Sequence, residues 1–262
     1  MCIVLIFSNG GVSGEPIALL GAFDTELELI RTEISAPDTH IIMGIRFCSG
    51  TIRGKQVVVT EAGVAKVNAA VTTALLIEHF NPSAVIFSGI AGALGDSVFP
   101  GDIVIGLTTA HHDLVSITDE VREHFGVVNP VTGERNPVFF PADERLISVA
   151  RDAAREIAFT SMETTVGERI PRVIEGIIAT GDAFVASEEL RSGIRTDLNA
   201  NAVEMEGAAV AQVCYQYDIP CIIIRSISDN ADANAAIDFE CFYRIAARNS
   251  AEFVIKMVEL LE

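Results

Sequence analysis

Four carboxylates sit where runs of buried-type residues give way to turns. They are Glu26 in "GAFDTELELI", Glu204 and Glu206 in "VEMEGAAVAQVC", and Asp229 in "CIIIRSISDNAD". Carboxyls at such points can do acid–base chemistry: an apolar setting favours the protonated form of one, and a polar setting keeps another ionised. Each also has a plainer reading. Asp24 and Glu26 fall in the first turn of an expected helix, where acids complement the helix dipole, and that suffices for Asp24. Asp229 could be an N-cap or Asx-turn residue that stops a strand. In a continuing strand Glu204 and Glu206 share a face, with Met205 opposite. If a helix begins near Glu206, the two carboxylates diverge, and Met205 and Glu206 reach one pocket.

The elements that would position these groups alternate in type. "IALLGAF" (17–23) reads as a buried strand, and 44–63 as a pair of strands around the Arg53-Gly54 turn. A helix over 64–80 places Val64, Val67, Val71 and Ala74/Leu75 on one apolar face. "AVIFSGIAG" (84–92) is a strand entering a small-residue loop, and 101–113 is another strand. The stretch 114–142, with Pro130, Pro137, Pro141, Gly126 and Gly133, reads as a long surface excursion. Then come a helix over 143–157 with Asp143 as N-cap, a strand and loop over 174–184, and a short helix behind Ser187. Strand "NAVEME", helix "GAAVAQVCYQYD", strand "PCIIIRSIS" and a helix from Asp238 to about Leu261 complete the chain.

Strands alternating with helices, several of them apolar throughout, predict a mostly parallel α/β sheet covered on both faces. One domain over 17–262 is expected, after an N-terminal extension over 1–16. Ligands of open α/β sheets sit outside the carboxyl ends of the strands. The places to look are therefore after Gly21, Gly63, Ser88, Thr180, Val203 and Ile227.

Half of the 262 residues are hydrophobic and 21% are charged, ample material for a large core. A formal charge of −18 repels phosphate backbones and anionic lipids, so neither nucleic acid nor membrane is an expected partner. The five cysteines show no CxxC or Cys/His ligand spacing; free core thiols in a reducing compartment are expected, and no metal. "MCIVLIF" is too short to span a bilayer and lacks a basic flank, so a cytoplasmic location is expected. Export is the alternative, if the stretch is a trimmed signal. "SGIAGALG" is neither GxGxxG followed by an acid nor a P-loop, and no Arg or Lys lies between Lys66 and Arg122. Dinucleotide and triphosphate binding lack their signatures.

Together, "GAFDTELELIR", "GVAKVNAA", "SGIAGAL", "GDIVI", "HHD", "ATGDAFVAS", "VEMEGAAVAQVC" and "IRSISDNAD" resemble the nucleoside phosphorylase/nucleosidase superfamily. Within it they look most like the 5′-methylthioadenosine/S-adenosylhomocysteine nucleosidases. The resemblance implies a single α/β domain with a mixed, partly barrel-like central sheet, assembled as a homodimer. It also implies hydrolysis of the bond between adenine N9 and ribose C1′ without cofactor. By that resemblance Asp229 is the general acid toward adenine N7, oriented by Ser228. Glu26 activates the attacking water, with Arg225 nearby. Glu206 accepts hydrogen bonds from the ribose hydroxyls, and Met205 packs on the sugar. Phe184 stacks on adenine while the Val185 backbone reads its edge. Ala91 and Gly92 line the ribose; Phe23, Val64 and Phe239 form the alkylthio side.

The same resemblance separates water from phosphate as nucleophile. Hexameric purine phosphorylases of this superfamily hold phosphate with arginines and a loop serine, where this chain has Phe87 and Ile90. Phosphate needs cationic or dense donor contacts, so hydrolysis is expected. The alternatives are phosphorolysis, a different purine nucleoside such as futalosine, or a non-catalytic nucleoside-binding or storage homologue. Ile90 also departs from the serine or threonine common in the nucleosidases.

Overall fold

Two strands set the frame. Ala84–Ala93 and Cys221–Asp229 are buried at every position, as expected for runs rich in Ile, Val and small residues with cover on both faces. The structure is a computed structural model describing residues 15–95, 97–119, 121–164 and 167–262; most of the expected N-terminal extension lies outside the described residues. The first half of the chain forms β1 (Ile17–Gly21), α1 (Asp24–Thr32), β2 (Ser35–Ile42), β3 (Ile45–Ile52), β4 (Lys55–Glu61), α2 (Lys66–Phe80), β5 (Ala84–Ala93) and β6 (Ile103–His111). Three short strands follow, β7 (Val115–Ile117), β8 (Arg122–His124) and β9 (Phe139–Pro141), then α3 (Glu144–Glu156), β10 (Met162–Thr164) and β11 (Gly167–Arg169). The chain closes with β12 (Val173–Thr180), α4 (Glu188–Leu198), β13 (Ala202–Glu204), α5 (Gly207–Gln216), β14 (Cys221–Asp229) and α6 (Ala235–Leu260).

β13, β12, β6, β14 and β5 pair in that order, and β13 returns to β5 through Ala202↔Ala93 and Val203↔Gly92, closing a small barrel. β1, β4, β3 and β2 extend from β5 as an open wing. β5 serves both halves: Ala84–Phe87 pair with β1, and Gly92–Ala93 with β13. Antiparallel pairings at β13–β5, β14–β6 and through β2–β3–β4 make the sheet mixed. The mostly parallel sheet expected from the alternation is corrected to that extent, since side-chain period is the same in either direction, and the mixed, partly barrel-like sheet implied by the resemblance is the one that forms.

Local chemistry explains most boundaries. Arg53 and Gly54 both adopt positive φ, 50° and 78°, as a two-residue hairpin requires to match strand twist. Asp143 caps α3 by accepting from Leu146 N at 3.0 Å, and Ser187 caps α4 in the same way. β2 was invisible to pattern: it is an exposed edge strand carrying Pro37, without hydrophobic alternation. The excursion over 114–142 folds locally, with a β7–β8 hairpin, a Val128–Arg135 bridge, and β9 adding to β6.

Two expectations need correction. The small-residue stretch after Ser88 is no loop; β5 runs on through Ala93, because the glycines let neighbouring groups press against its backbone. In α2 the buried residues are Ala69, Thr72, Thr73 and Leu76, whereas Val67 and Val71 are 72% and 50% exposed. Thr72 and Thr73 sit inside because their hydroxyls bond the Ala62 and Ala69 carbonyls. The valines face outward, so volume alone mis-assigned the helix face.

α6 is the main buttress. Its small residues Ala246, Ala247, Ser250 and Ala251 let it close on the barrel, where Ser250 Oγ lies 2.9 Å from Ser88 Oγ and accepts from Gly89 N at 3.1 Å. Phe253 from α6 is fully buried among Leu19, Ile86 and Ile222. Phe253→Ala should cost about 3–5 kcal/mol, read as a lowered midpoint with unchanged slope in urea unfolding.

Candidate active site

The carboxyl ends of β1, β5, β13 and β14, with the segments after β4 and β12, surround one cavity of ≈ 330 Å³. All six strand ends singled out from the sequence contribute to it. Its wall is chiefly apolar, supplied by Phe23, Val64, Ile90, Met205, Phe184 and Phe239. Into this wall project Glu26, Glu204, Glu206 and Asp229, each no more than 6% exposed.

Glu26 reaches the cavity because β1 ends at Gly21 and α1 starts at once, turning its first inward position over β5. Its Oε2 accepts from Ala22 N at 2.5 Å and its Oε1 from Ile90 N at 2.9 Å. Burial pushes its carboxyl above the usual range, while Arg225 and the Ile90 and Ala22 amides pull the other way. The outcome is a carboxyl fixed in place and more basic than an exposed one.

Arg225 does not line the cavity. It lies fully buried behind the carboxylates, its guanidinium 4.1 Å from the centre of the Phe87 ring. Glu204 holds it: Arg225 Nη2 and Nε donate to Glu204 Oε2 at 2.6 and 3.2 Å. The same oxygen accepts from the backbone N–H groups of Glu206 and Gly207, at 3.1 and 2.7 Å. Thr180 Oγ1 donates to Glu204 Oε1, and itself accepts from Ala208 N at 2.8 Å. One acid therefore ties β12, β14 and the start of α5 together. Burial opposes the charge on Arg225, yet Glu204, Glu26 and Glu206 outweigh it and keep the guanidinium protonated.

Glu206 sits at the N-cap of α5 and points across the cavity, accepting from Ala65 N at 2.8 Å. Arg225 Nη2 is 3.8 Å away. Burial and the neighbouring Glu204 push its carboxyl up to about 8. The strand stops at Glu204, so Met205 and Glu206 both reach the cavity, as a helix start near Glu206 requires.

Asp229 ends β14. Its Oδ1 accepts from Ala231 N at 2.9 Å, an Asx turn, and its Oδ2 lies 2.8 Å from Ser228 Oγ. Burial raises its carboxyl to about 6, against the opposing pull of Ser228 and Ala231. Gly92 faces it so closely that a Cβ there would stand 2.8 Å from Asp229 Oδ1. That approach explains a glycine inside a strand.

The rim is aromatic. Phe184, 49% exposed, meets Phe239 edge-on at 5.8 Å, and Phe239 stacks on Tyr243 at 5.3 Å. Phe23, Ala91, Gly92 and Val64 all border the cavity; Val185 does not, its side chain packing with Leu94, Ala110 and Val203. Ala22, Ile90 and Val203 were absent from the expected set, and Glu204 stood among the candidate carboxylates without an assigned role. Glu204 had a readable signal: an arginine inside the apolar strand "CIIIRSIS" demands a buried acid. Among the described residues no cluster of His, Cys, Asp or Glu could hold a metal ion, and no helix is long and apolar enough to cross a membrane.

A barrel rim with buried carboxyls held at different proton affinities around a nucleoside-sized apolar cavity is the layout of an acid–base enzyme. A family model, the phosphorylase superfamily, matches residues 16–259. The 5′-methylthioadenosine/S-adenosylhomocysteine nucleosidase of Bacillus thuringiensis (strain Al Hakam) is 36% identical over 247 residues, 94% of this chain and 99% of that protein. The solved nucleosidase of that name from Neisseria meningitidis, in complex with methylthio-immucillin-A, superposes with a TM-score of 0.80 at 37% identity. It covers 94% of this chain and all of its own. Futalosine hydrolase of Helicobacter pylori superposes with a TM-score of 0.79 at 30% identity, over 94% of this chain and 98% of its own. The chain belongs to the phosphorylase superfamily and, within it, to the 5′-methylthioadenosine/S-adenosylhomocysteine nucleosidase family, whose members are N-glycosyl hydrolases.

The raised Asp229 carboxyl has a stability consequence. The native state holds this proton to about pH 6 while the unfolded chain releases it near 3.8. Stability from this group is therefore complete below about pH 4 and is lost as the pH rises through 6, about 3 kcal/mol in all. Asp229→Asn removes that loss, so the variant should gain Tm over the wild type at pH 7.5 and show no such gain at pH 4. An equal offset at both pH values would contradict the assignment.

Proposed function

We propose that the chain hydrolyses the N-glycosidic bond of 5′-methylthioadenosine, and of S-adenosylhomocysteine and 5′-deoxyadenosine, releasing adenine. The observation that carries this reading is the trio Glu26, Glu206 and Asp229 around one apolar cavity, with Asp229 held up to about 6.

Adenine is a poor leaving group as an anion, so the base must be protonated as C1′ becomes cationic. Asp229 gives its proton to adenine N7; Ser228 holds the carboxyl in line. The electron pair of the C1′–N9 bond leaves with the base. Glu26, made more basic by burial, takes a proton from water as the water oxygen bonds to C1′. Glu206 accepts hydrogen bonds from the ribose hydroxyls. A carboxylate placed there favours the positive charge arriving at C1′. Phe184 and Phe239 cover the base and the 5′ substituent, and Met205 packs under the sugar. The steps use water and the chain's own side chains.

Water is favoured over phosphate by the same geometry. Phe87 lies beneath Arg225, Ile90 is apolar, and the one guanidinium nearby is engaged by Glu204. No free cation borders the cavity among the described residues. The apolar side formed by Phe23, Val64, Ile90 and Phe239 suits the methylthio group of 5′-methylthioadenosine.

We also propose that the chain works as a homodimer. Val67 and Val71, at i and i+4 on α2, are exposed beside the half-exposed Val64 and Phe184 of the cavity rim. Val67→Glu combined with Val71→Glu should lower the mass measured by light scattering from twice 28.0 kDa to 28.0 kDa. A wild type already at the lower mass would refute the dimer.

Incubation with 5′-methylthioadenosine in phosphate-free buffer should yield free adenine and methylthioribose. Strict phosphate dependence with a sugar 1-phosphate product would overturn the choice of nucleophile. Asp229→Asn should lower kcat at least about a hundredfold while adenine still binds by calorimetry; a near-normal rate would refute the acid assignment.

A further inference from the structure

Arg225 poses an electrostatic problem for this reaction. It is fully buried, its Nη2 lies 3.8 Å from Glu206 Oε2, and Glu26 also feels its charge. Positive charge must develop at C1′ between those two carboxylates. A fixed guanidinium so near, in a site with little water, works against that charge unless something cancels it. Glu204 is the group placed to do so. Its carboxylate is buried, meets Arg225 Nη2 at 2.6 Å and Nε at 3.2 Å, and has every other contact satisfied by Thr180 and the first amides of α5.

We propose that Glu204 is a positioning residue for hydrolysis: it neutralises Arg225 and holds it, so that the guanidinium does not oppose the positive charge developing at C1′. This inference rests on the hydrolytic reading above. Glu206 does not share this task. It is farther from the guanidinium, receives no hydrogen bond from it, and spends its Oε1 on Ala65 N. Of the charged groups around Arg225, Glu204 alone is hydrogen-bonded to it from β13; Glu26 from α1 and Glu206 from the N-cap of α5 remain for the substrate.

Glu204→Gln tests the charge with little change of shape. The amide oxygen can replace Oε2 toward Arg225 and the two backbone N–H groups, and the amide nitrogen can donate to Thr180 Oγ1. Wild type and variants are assayed on 5′-methylthioadenosine, with adenine affinity measured by calorimetry and folding by thermal melts. The expected result for Glu204→Gln is a kcat about a hundredfold lower with adenine affinity and KM within threefold of wild type. Glu204→Asp, which keeps the charge with one methylene less reach, should stay within tenfold of wild type. A folded Glu204→Gln with kcat within threefold of wild type overturns the inference. So does a folded Glu204→Asp that loses a hundredfold, because shape and not charge would then be decisive; that criterion stands even if Glu204→Gln does not fold. A wild type that releases no adenine would instead refute the hydrolytic reading itself.

Discussion

One buried guanidinium among three largely buried carboxylates is the constraint around which this fold is arranged. Breaking a buried ion pair from one side costs roughly 3–5 kcal/mol, so Arg225 and Glu204 must be built in together. The neighbouring sequence shows how. Phe87 offers its ring face to the guanidinium at 4.1 Å. Gly89 has no Cβ because one would run into both Arg225 Nη1 and Glu26. α6 lays Ser250 and its alanines over the same point. These are small or flat residues for one reason: the charged cluster occupies the volume that larger side chains would fill.

The cluster also divides labour among groups of one chemical kind. Four carboxyls share the cavity, and burial pushes Glu26, Glu206 and Asp229 toward the protonated form. Glu26 has two amide donors and Arg225 to hold it back. Glu206 has one amide and a like charge beside it, and rises to about 8. Asp229 lies beyond the arginine and depends on a hydroxyl and one amide, settling at about 6. Differences of one or two hydrogen bonds, set by where each strand ends, distinguish these carboxyls, and the roles proposed for them follow those differences.

Much of this arrangement was legible in the sequence, for identifiable reasons. Strands apolar throughout announce themselves, and the strand-end rule then locates the cavity without any structure. Helix caps such as Asp143 and Ser187 carry their own chemistry in the side chain. Two things were not readable and a third went unread. β2 is an edge strand with a proline, so neither period nor composition marked it. The outward face of α2 is more hydrophobic than its inward one, because threonine hydroxyls satisfied locally are as buriable as valine. Glu204 was singled out as a carboxylate at a strand end but its ion pair was not named, because Arg225 lies twenty-one positions away on β14, the next strand in sequence but not a sheet neighbour of β13.

The end of β14 shows why a structural and a chemical explanation of one residue need not compete. Asp229 does stop its strand as an Asx turn would, accepting from Ala231 N. That bond lowers its proton affinity, as does Ser228, while burial raises it more. The turn bond and Ser228 hold the carboxyl below where burial alone would put it, and burial keeps it above an exposed aspartate. The capping bond therefore offsets part of what burial does to the group proposed as the acid, and the abrupt end of an apolar strand is where both conditions meet.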